Sequence, residues 1–116
     1  MLARKNRFHG HSGVRRVYRY GKPARTAMLS VHALVNDKVK TTKVAVVVSR
    51  KVHKSAVKRN RIRRRIYEVV RGRLPAMSYP AEVVITVYKP ELAVVPSDEL
   101  EHLVTQALKK ARLIQK

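Results

Sequence analysis

Apolar positions along the chain follow two periods. In residues 12–21, Val14, Val17 and Tyr18 recur at i, i+3 and i+4, between a capping Ser12 and a terminating Gly21. This predicts a short helix with Arg15, Arg16 and Arg19 off its apolar stripe. Residues 27–35, AMLSVHALV, alternate instead. Ala27, Leu29, Val31, Ala33 and Val35 share one face of a strand; Met28, Ser30, His32 and Leu34 share the other. Asn36–Asp37 marks a turn. KVAVVVS (43–49) is rich in β-branched residues and reads as a central strand, expected to pair antiparallel with the preceding one. Helical spacing returns from about Ser55 to Arg71. Gly72, Pro75 and Pro80 break the next stretch, and EVVITVY (82–88) reads as another buried strand. Ser97 is expected to cap a last helix, with Asp98, Glu99 and Glu101 in its first turn and Lys109, Lys110 and Arg112 in its last, as the helix dipole favours. Its apolar face is Leu100, Leu103, Val104, Ala107, Leu108 and Ala111. The order is α-β-β-α-β-α, with a further short strand placed around 38–42. This is an α+β sheet with helices packed on it, one domain over 1–116 with residues 1–12 as a basic arm.

The central helix carries a conflict. In VHKSAVKRNRIRRRIYE (52–68), seven of the twelve residues from Lys54 to Arg65 are Lys or Arg, yet Val57, Ile62 and Ile66 sit among them. A helical wheel places Ile62, Ile66, Val69 and Val70 on one arc of about a quarter turn. Asn60, Arg64, Tyr67 and Arg71 fall on the opposite side, with Arg61, Arg63 and Arg65 flanking. A narrow buried seam under a broad cationic surface is expected. From residue 59 to 71 there are six Arg and no Lys. Arginine offers planar, multi-donor contacts to phosphates and stacks on bases. An ordinary solvated face would mix signs to form i,i+4 pairs, but Glu68 is the only acid between residues 38 and 81.

Charge makes the partner a polyanion. The 116 residues hold 27 Lys and Arg against 7 Asp and Glu, a net +20, while 45% are apolar, enough to fold rather than form a basic tail. Clustered and widely spread cations favour a large nucleic acid over a membrane surface. DNA-reading modules are disfavoured: there is no helix-turn-helix pair, zinc-ligand set or heptad dimer. Known double-stranded RNA modules have another element order. A ribosomal or assembly protein that binds rRNA structurally shares the charge and size. No cysteine is present, which excludes disulfides and thiolate sites. No apolar run reaches the ~20 residues of a membrane span. A soluble, cytoplasmic protein is expected, with no obligate protein partner evident.

Other chemistry is thin. His9 and His11 form an HxH pair without a third ligand. His53 reads as an RNA contact or a cap-region residue, and His102 as solvated. Asp98, Glu99 and Glu101 suit the helix dipole better than a metal-dependent centre, and no nucleophile context stands out. No catalytic or metal-binding residue is assigned to this chain.

SRKVHKSAVKRNRIRRRIYE (49–68) closely resembles the signature of the bacterial ribonuclease P protein subunit. The matching residues are Ser49, Arg50, Lys51, Ala56, Val57, Arg59, Asn60, Arg61 and Ile62. KNRF (5–8), the short helix ending at Gly21, and YKP (88–90) match in the same order. The resemblance implies an α-β-β-β-α-β-α fold with a left-handed β-α-β crossover, against the usual handedness. It implies a subunit of an endoribonuclease that removes the 5′ leader of precursor tRNA, with catalytic Mg2+ held by the RNA subunit. Arg50, Lys51, Lys54, Lys58, Arg59, Asn60, Arg61, Arg63 and Arg64 would then bind the catalytic RNA. Val14, Tyr18, Met28, Ser30, His32 and Val46 would line a cleft for the single-stranded leader, Tyr18 and His32 stacking on its bases. Two features depart from the family pattern. Val14 and His32 stand where aromatics are frequent, and Tyr67 stands where arginine is frequent.

Overall fold

A computed structural model of the chain describes residues 6–8, 12–35, 40–77 and 79–114. Three helices, α1 (Ser12–Tyr20), α2 (Ala56–Arg73) and α3 (Ser97–Lys110), surround strands β1 (Lys22–Arg25), β2 (Leu29–Val35), β3 (Lys43–Val47) and β4 (Ala81–Val87). The element order is therefore α-β-β-β-α-β-α. The strands form one mixed sheet in the order β1-β2-β4-β3.

The central strand is β4, not β3. It pairs antiparallel with β2 and parallel with β3. All but Thr86 of its seven residues are buried. β3 does not pair with β2: α2 carries the chain from β3 over to β4, and a crossover of this kind yields parallel neighbours. The expected antiparallel pairing of 43–49 is therefore replaced, and that segment is an edge strand. It reads as central because Val44, Val46 and Val48 are buried. The additional strand seen among the described residues lies at 22–25. Residues 40–42 are not in a strand, and 36–39 lie outside the described residues. In β1 only Ala24 is buried, so four residues with a proline carry no alternation to read. Proline is tolerated there because β1 is the other edge.

The pleat divides the labour. One face of the sheet presents Leu29, Val31, Val44, Val46, Ala81, Val83, Ile85 and Val87 to α2 and α3, forming the main core. α2 is capped by Ser55, whose hydroxyl accepts from the Lys58 N–H at 3.3 Å. It docks through Ile62, Ile66 and Val70, all fully buried, with Val69 half-buried beside them. Each such side chain contributes about 1.5–3 kcal/mol of burial. Ser97 is the first helical residue of α3 and not its cap; Pro96 precedes it and no side chain caps the helix. Arg112 lies past the helix end in a left-handed conformation, φ 61°.

The other face carries α1, packed on β2 and β4. Val17 is fully buried there. Gly21 ends α1 because the chain turns against itself: a Cβ would lie 2.5 Å from the Val17 carbonyl oxygen and 3.1 Å from that of Ala33. Arg16 reaches the buried Glu82 of β4, its Nη2 2.7 and 2.5 Å from the two carboxylate oxygens. The Tyr18 and Thr86 hydroxyls lie 2.6 Å apart. Tyr18 meets His32 edge-on, ring centroids 5.0 Å apart. The His32 Nδ1 is buried without a hydrogen-bond partner, and burial holds its pKa below the ordinary 6.5.

Arg16→Met should cost about 1–2 kcal/mol, less than the ~3–5 of a fully buried pair because Arg16 is half-exposed. Arg16→Met combined with Glu82→Leu should cost less than the sum of the single variants, by urea denaturation of all three. His32 is favoured neutral in the folded chain, while the unfolded chain takes up a proton through pH 6.5. The stability it contributes is thus complete above that pH and is lost as pH falls toward the lowered value. Thermal melts of His32→Gln should decline less between pH 7.5 and 5.5 than those of the parent; parallel declines would refute the assignment.

Candidate RNA-binding surfaces

The first surface is the outer side of α2 with the loop before it. That loop is a tight turn: the Ser49 carbonyl accepts from the N–H groups of Val52 at 3.1 Å and His53 at 3.4 Å. Arg50 and Lys51 are exposed at its tip. The His53 Nδ1 accepts from the Ser55 N–H at 3.2 Å, so His53 shapes the cap region. The first turn of α2 holds no acid. Its positive dipole end and its cations therefore repel one another unless an anion stands before them.

The arginines of α2 divide into two sets that the wheel cannot separate. Arg59 donates through one Nη to the carbonyls of His53 and Lys54, both at 2.9 Å, and so braces the loop. Arg65 donates to the carbonyls of Leu92, at 2.8 Å, and Val95, holding the short 3₁₀ turn before α3. Arg73 binds the Thr105 hydroxyl and the Glu101 carboxylate of α3. Arg71 pairs with Glu68 at 2.9 Å. Arg63 donates to the Asn60 side-chain oxygen. Arg61 and Arg64 are exposed and make no hydrogen bond or ion pair among the described residues. Lys54 is exposed and Lys58 half-buried on the same end of the helix.

Val57 is not part of the buried seam; it is 71% exposed. With Asn60, Arg63, Arg64 and Tyr67 it lines a groove of 440 Å³ along α2. Tyr67 does not stand on the outer side opposite the seam. Its ring packs on the core, and its hydroxyl accepts from the backbone N–H of Val46 at 3.0 Å. That N–H belongs to the edge strand β3, whose outward donors would otherwise face solvent. A guanidinium has no acceptor and could not serve here, so tyrosine in this place has a structural reason.

The second surface is the face of the sheet beside α1. It brings together Tyr18, Ser30 and His32, with Val14 half-buried on α1. Val46 does not belong to it. Paired with Ile85, its side chain lies in the main core, and the strand's positions on the α1 side are Lys43, Ala45 and Val47. Met28 precedes β2, is half-buried and packs against the main core. Thr86, Tyr88 and Arg25 complete this face; none is assigned to it from the sequence, although Tyr88 opens the YKP match. Thr86 and Tyr88 follow from the alternation of 82–88, which places them with Glu82 and Val84; Arg25 has no such signal.

His9 and His11 lie outside the described residues, and His102 is exposed. Among the described residues no three His, Asp or Glu side chains gather as a metal site would require. None of the described helices is long and apolar enough to cross a membrane.

Comparison with known proteins narrows the assignment. The sequence model of the family Ribonuclease P matches residues 2–112. The ribonuclease P protein component of a Pseudanabaena species is 33% identical over 87 residues, 75% of each chain. That of a Roseiflexus species is 34% identical over 100 residues, covering 86% of this chain and 80% of the relative. The fold matches the RNase P protein of Staphylococcus aureus with a TM-score of 0.84 at 18% identity, over 95% of this chain and 98% of that one. It matches the RNase P protein of Thermotoga maritima with a TM-score of 0.79 at 20% identity, over 90% and 96%. With the signature on α2, the α-β-β-β-α-β-α order and a match over nearly the whole length, the chain belongs to the ribonuclease P protein family, the protein component that works with an RNA subunit in an endoribonuclease.

Proposed function

We propose that this chain assists removal of the 5′ leader from precursor tRNA by binding two RNAs on two faces. The outer side of α2 and the 49–55 loop take the catalytic RNA subunit; the α1 side of the sheet takes the single-stranded leader. The observation that supports the division is the separation of exposed cations from fixed rings within the fold. Unpaired cations collect on α2, whereas the α1 face offers aromatic rings and hydroxyls around Tyr18, His32 and Thr86. Cations neutralise phosphates of a structured RNA regardless of sequence. Rings stack on unpaired bases of any identity, which suits leaders that differ among precursors.

In this reading the chain supplies no group to phosphodiester hydrolysis, and the Mg2+ of the reaction is held by the RNA subunit and the substrate. The protein lowers repulsion between two polyanions and fixes the leader. Arg61 and Arg64 supply direct phosphate contacts. Arg59 acts through the loop it braces, carrying Arg50 and Lys51 to their positions. The Val57 groove accepts a sugar or base edge between flanking arginines. Burial disfavours the charged form of His32, so ring surface is what it offers a base.

The deciding experiment is reconstitution with the RNA subunit and precursor tRNA at low Mg2+. The protein should restore 5′ processing; failure to do so would favour a structural rRNA-binding role. Arg61→Ala with Arg64→Ala should weaken RNA-subunit binding about 10- to 50-fold and flatten its salt dependence by one to two units of slope. Tyr18→Leu should leave that affinity unchanged and reduce affinity for leader-bearing precursor about 5- to 50-fold relative to mature tRNA. If both variants moved both affinities alike, the division between faces would be wrong.

A further inference from the structure

The sheet face beside α1 does not end at Tyr18 and His32. Arg25 on β1 is in register with Ser30 on β2, and Ser30 is in register with Thr86 on β4. Tyr88, two residues beyond Thr86, turns onto the same face: its hydroxyl lies 2.9 Å from the Ser30 hydroxyl. The Arg25 guanidinium stands over the Tyr88 ring, 4.5 Å from its centroid. A second aromatic centre thus adjoins the first: the Tyr88 hydroxyl rests on Ser30 and the Tyr18 hydroxyl on Thr86, and those two residues are in register.

The second centre is held more firmly than a surface contact requires. The Tyr88 backbone N–H donates to the Met28 carbonyl at 2.9 Å, so both ends of the residue are tied. The Arg25 carbonyl accepts from Lys110 Nζ of α3 at 2.6 Å, which anchors the strand beneath the guanidinium. The guanidinium itself is exposed and has no carboxylate partner among the described residues. It covers a ring that would otherwise present a flat face to solvent.

We infer that Tyr88 and Arg25 form a second single-strand nucleotide site, adjoining the Tyr18–His32 site and reading the next unpaired nucleotide. A base takes the guanidinium's place on the Tyr88 ring, and the freed guanidinium reaches the adjoining phosphate. The exchange is favourable because an exposed cation–π contact is weaker than a base–aromatic stack, and the cation gains an anionic partner. Neither step depends on base identity. The inference rests on the leader-binding reading of the α1 face and deepens it. It also accounts for how this chain, with Val14 and His32 in place of larger aromatics, keeps two stacking centres in the cleft.

The test uses the holoenzyme reconstituted with its RNA subunit, and precursor tRNAs whose leaders are shortened one nucleotide at a time. Tyr88→Leu should lower affinity for long-leader precursor roughly 5- to 150-fold, with RNA-subunit affinity and binding of mature tRNA unchanged. Tyr88→Phe should retain most of the affinity, since the ring face remains. The Tyr88→Leu and Tyr18→Leu defects should disappear at different leader lengths. A fluorescent adenine analogue placed along the leader should be quenched at one position by the parent protein and released there by Tyr88→Leu. If Tyr88→Leu matches the parent on every leader while Tyr18→Leu does not, the second site is wrong and the leader cleft stands. If neither variant changes leader dependence, both readings fall. A Tyr88→Leu loss equal on mature tRNA, or a Tyr88→Phe loss as large as that of Tyr88→Leu, would mean that the residue supports the fold through its hydroxyl and takes no base.

Discussion

Ile62, Ile66 and Val70 are the contact on which the rest of the arrangement depends. They fasten α2 to the sheet with a stripe only one residue wide per turn, leaving the remaining circumference for cations. Because α2 is also the crossover between β3 and β4, its docking sets those strands side by side and parallel. β4 is thereby enclosed between β2 and β3, with α2 and α3 covering one face and α1 the other. Loosening the seam would therefore disturb the sheet order and separate the two candidate surfaces at once. The burial of three aliphatic side chains, on the order of 5–8 kcal/mol in total, is comparable to the whole stability of a small domain.

Charge imposes the second constraint. With seven acids in the chain, each carboxylate near an arginine is worth placing well. Glu82 receives Arg16 inside the α1 interface, and Glu101 receives Arg73 between α2 and α3. Backbone carbonyls do the same work for Arg59 and Arg65. Several arginines that look like ligands for RNA are thus internal braces that use carbonyl oxygens because carboxylates are scarce. The arginines left uncommitted on α2 are few and outward, Arg61 and Arg64, beside Lys58 and the Arg50–Lys51 tip of the preceding loop. Their mutual repulsion in the free protein is relieved by a bound polyanion, so association with RNA should also stabilise the fold.

Local signals in the sequence were legible wherever a single element decides them. The start of α2, its seam, the apolar face of α3 and the buried run of β4 all follow from spacing; the end of α2 does not, since the helix runs on through Gly72 to Arg73 instead of stopping at Arg71. The pairing of β3 did not, because strand order depends on where α2 carries the chain, and valine-rich composition looks alike in a central strand and a covered edge. β1 was invisible because its four residues bury only Ala24. Tyr67 was misplaced for a subtler reason. A wheel assigns a direction to the Cα–Cβ bond, but a long aromatic side chain can fold back over a neighbouring strand edge, and the unsatisfied N–H of Val46 rewards it for doing so. Val46 itself was assigned to the α1 face through the resemblance; the register with Ile85 puts it on the other side of the pleat.

The two faces differ in the physics available to them, and in the proposed reading that difference would let one small chain take two RNAs without confusing them. A structured RNA presents dense phosphate, so an array of exposed arginines gains most from it and loses most as salt rises. An unpaired strand also presents bases, and only a surface with fixed rings can exploit those. His32 suits the second surface because burial disfavours its charged form, and a charged imidazole there would attract phosphate where a base is wanted. Thr86 and Ser30 hold the tyrosine hydroxyls, so the rings are fixed in place and a base stacking on them would order little side chain. Salt should therefore weaken the α2 surface much more steeply than the α1 face, because stacking on a preformed ring releases few counterions.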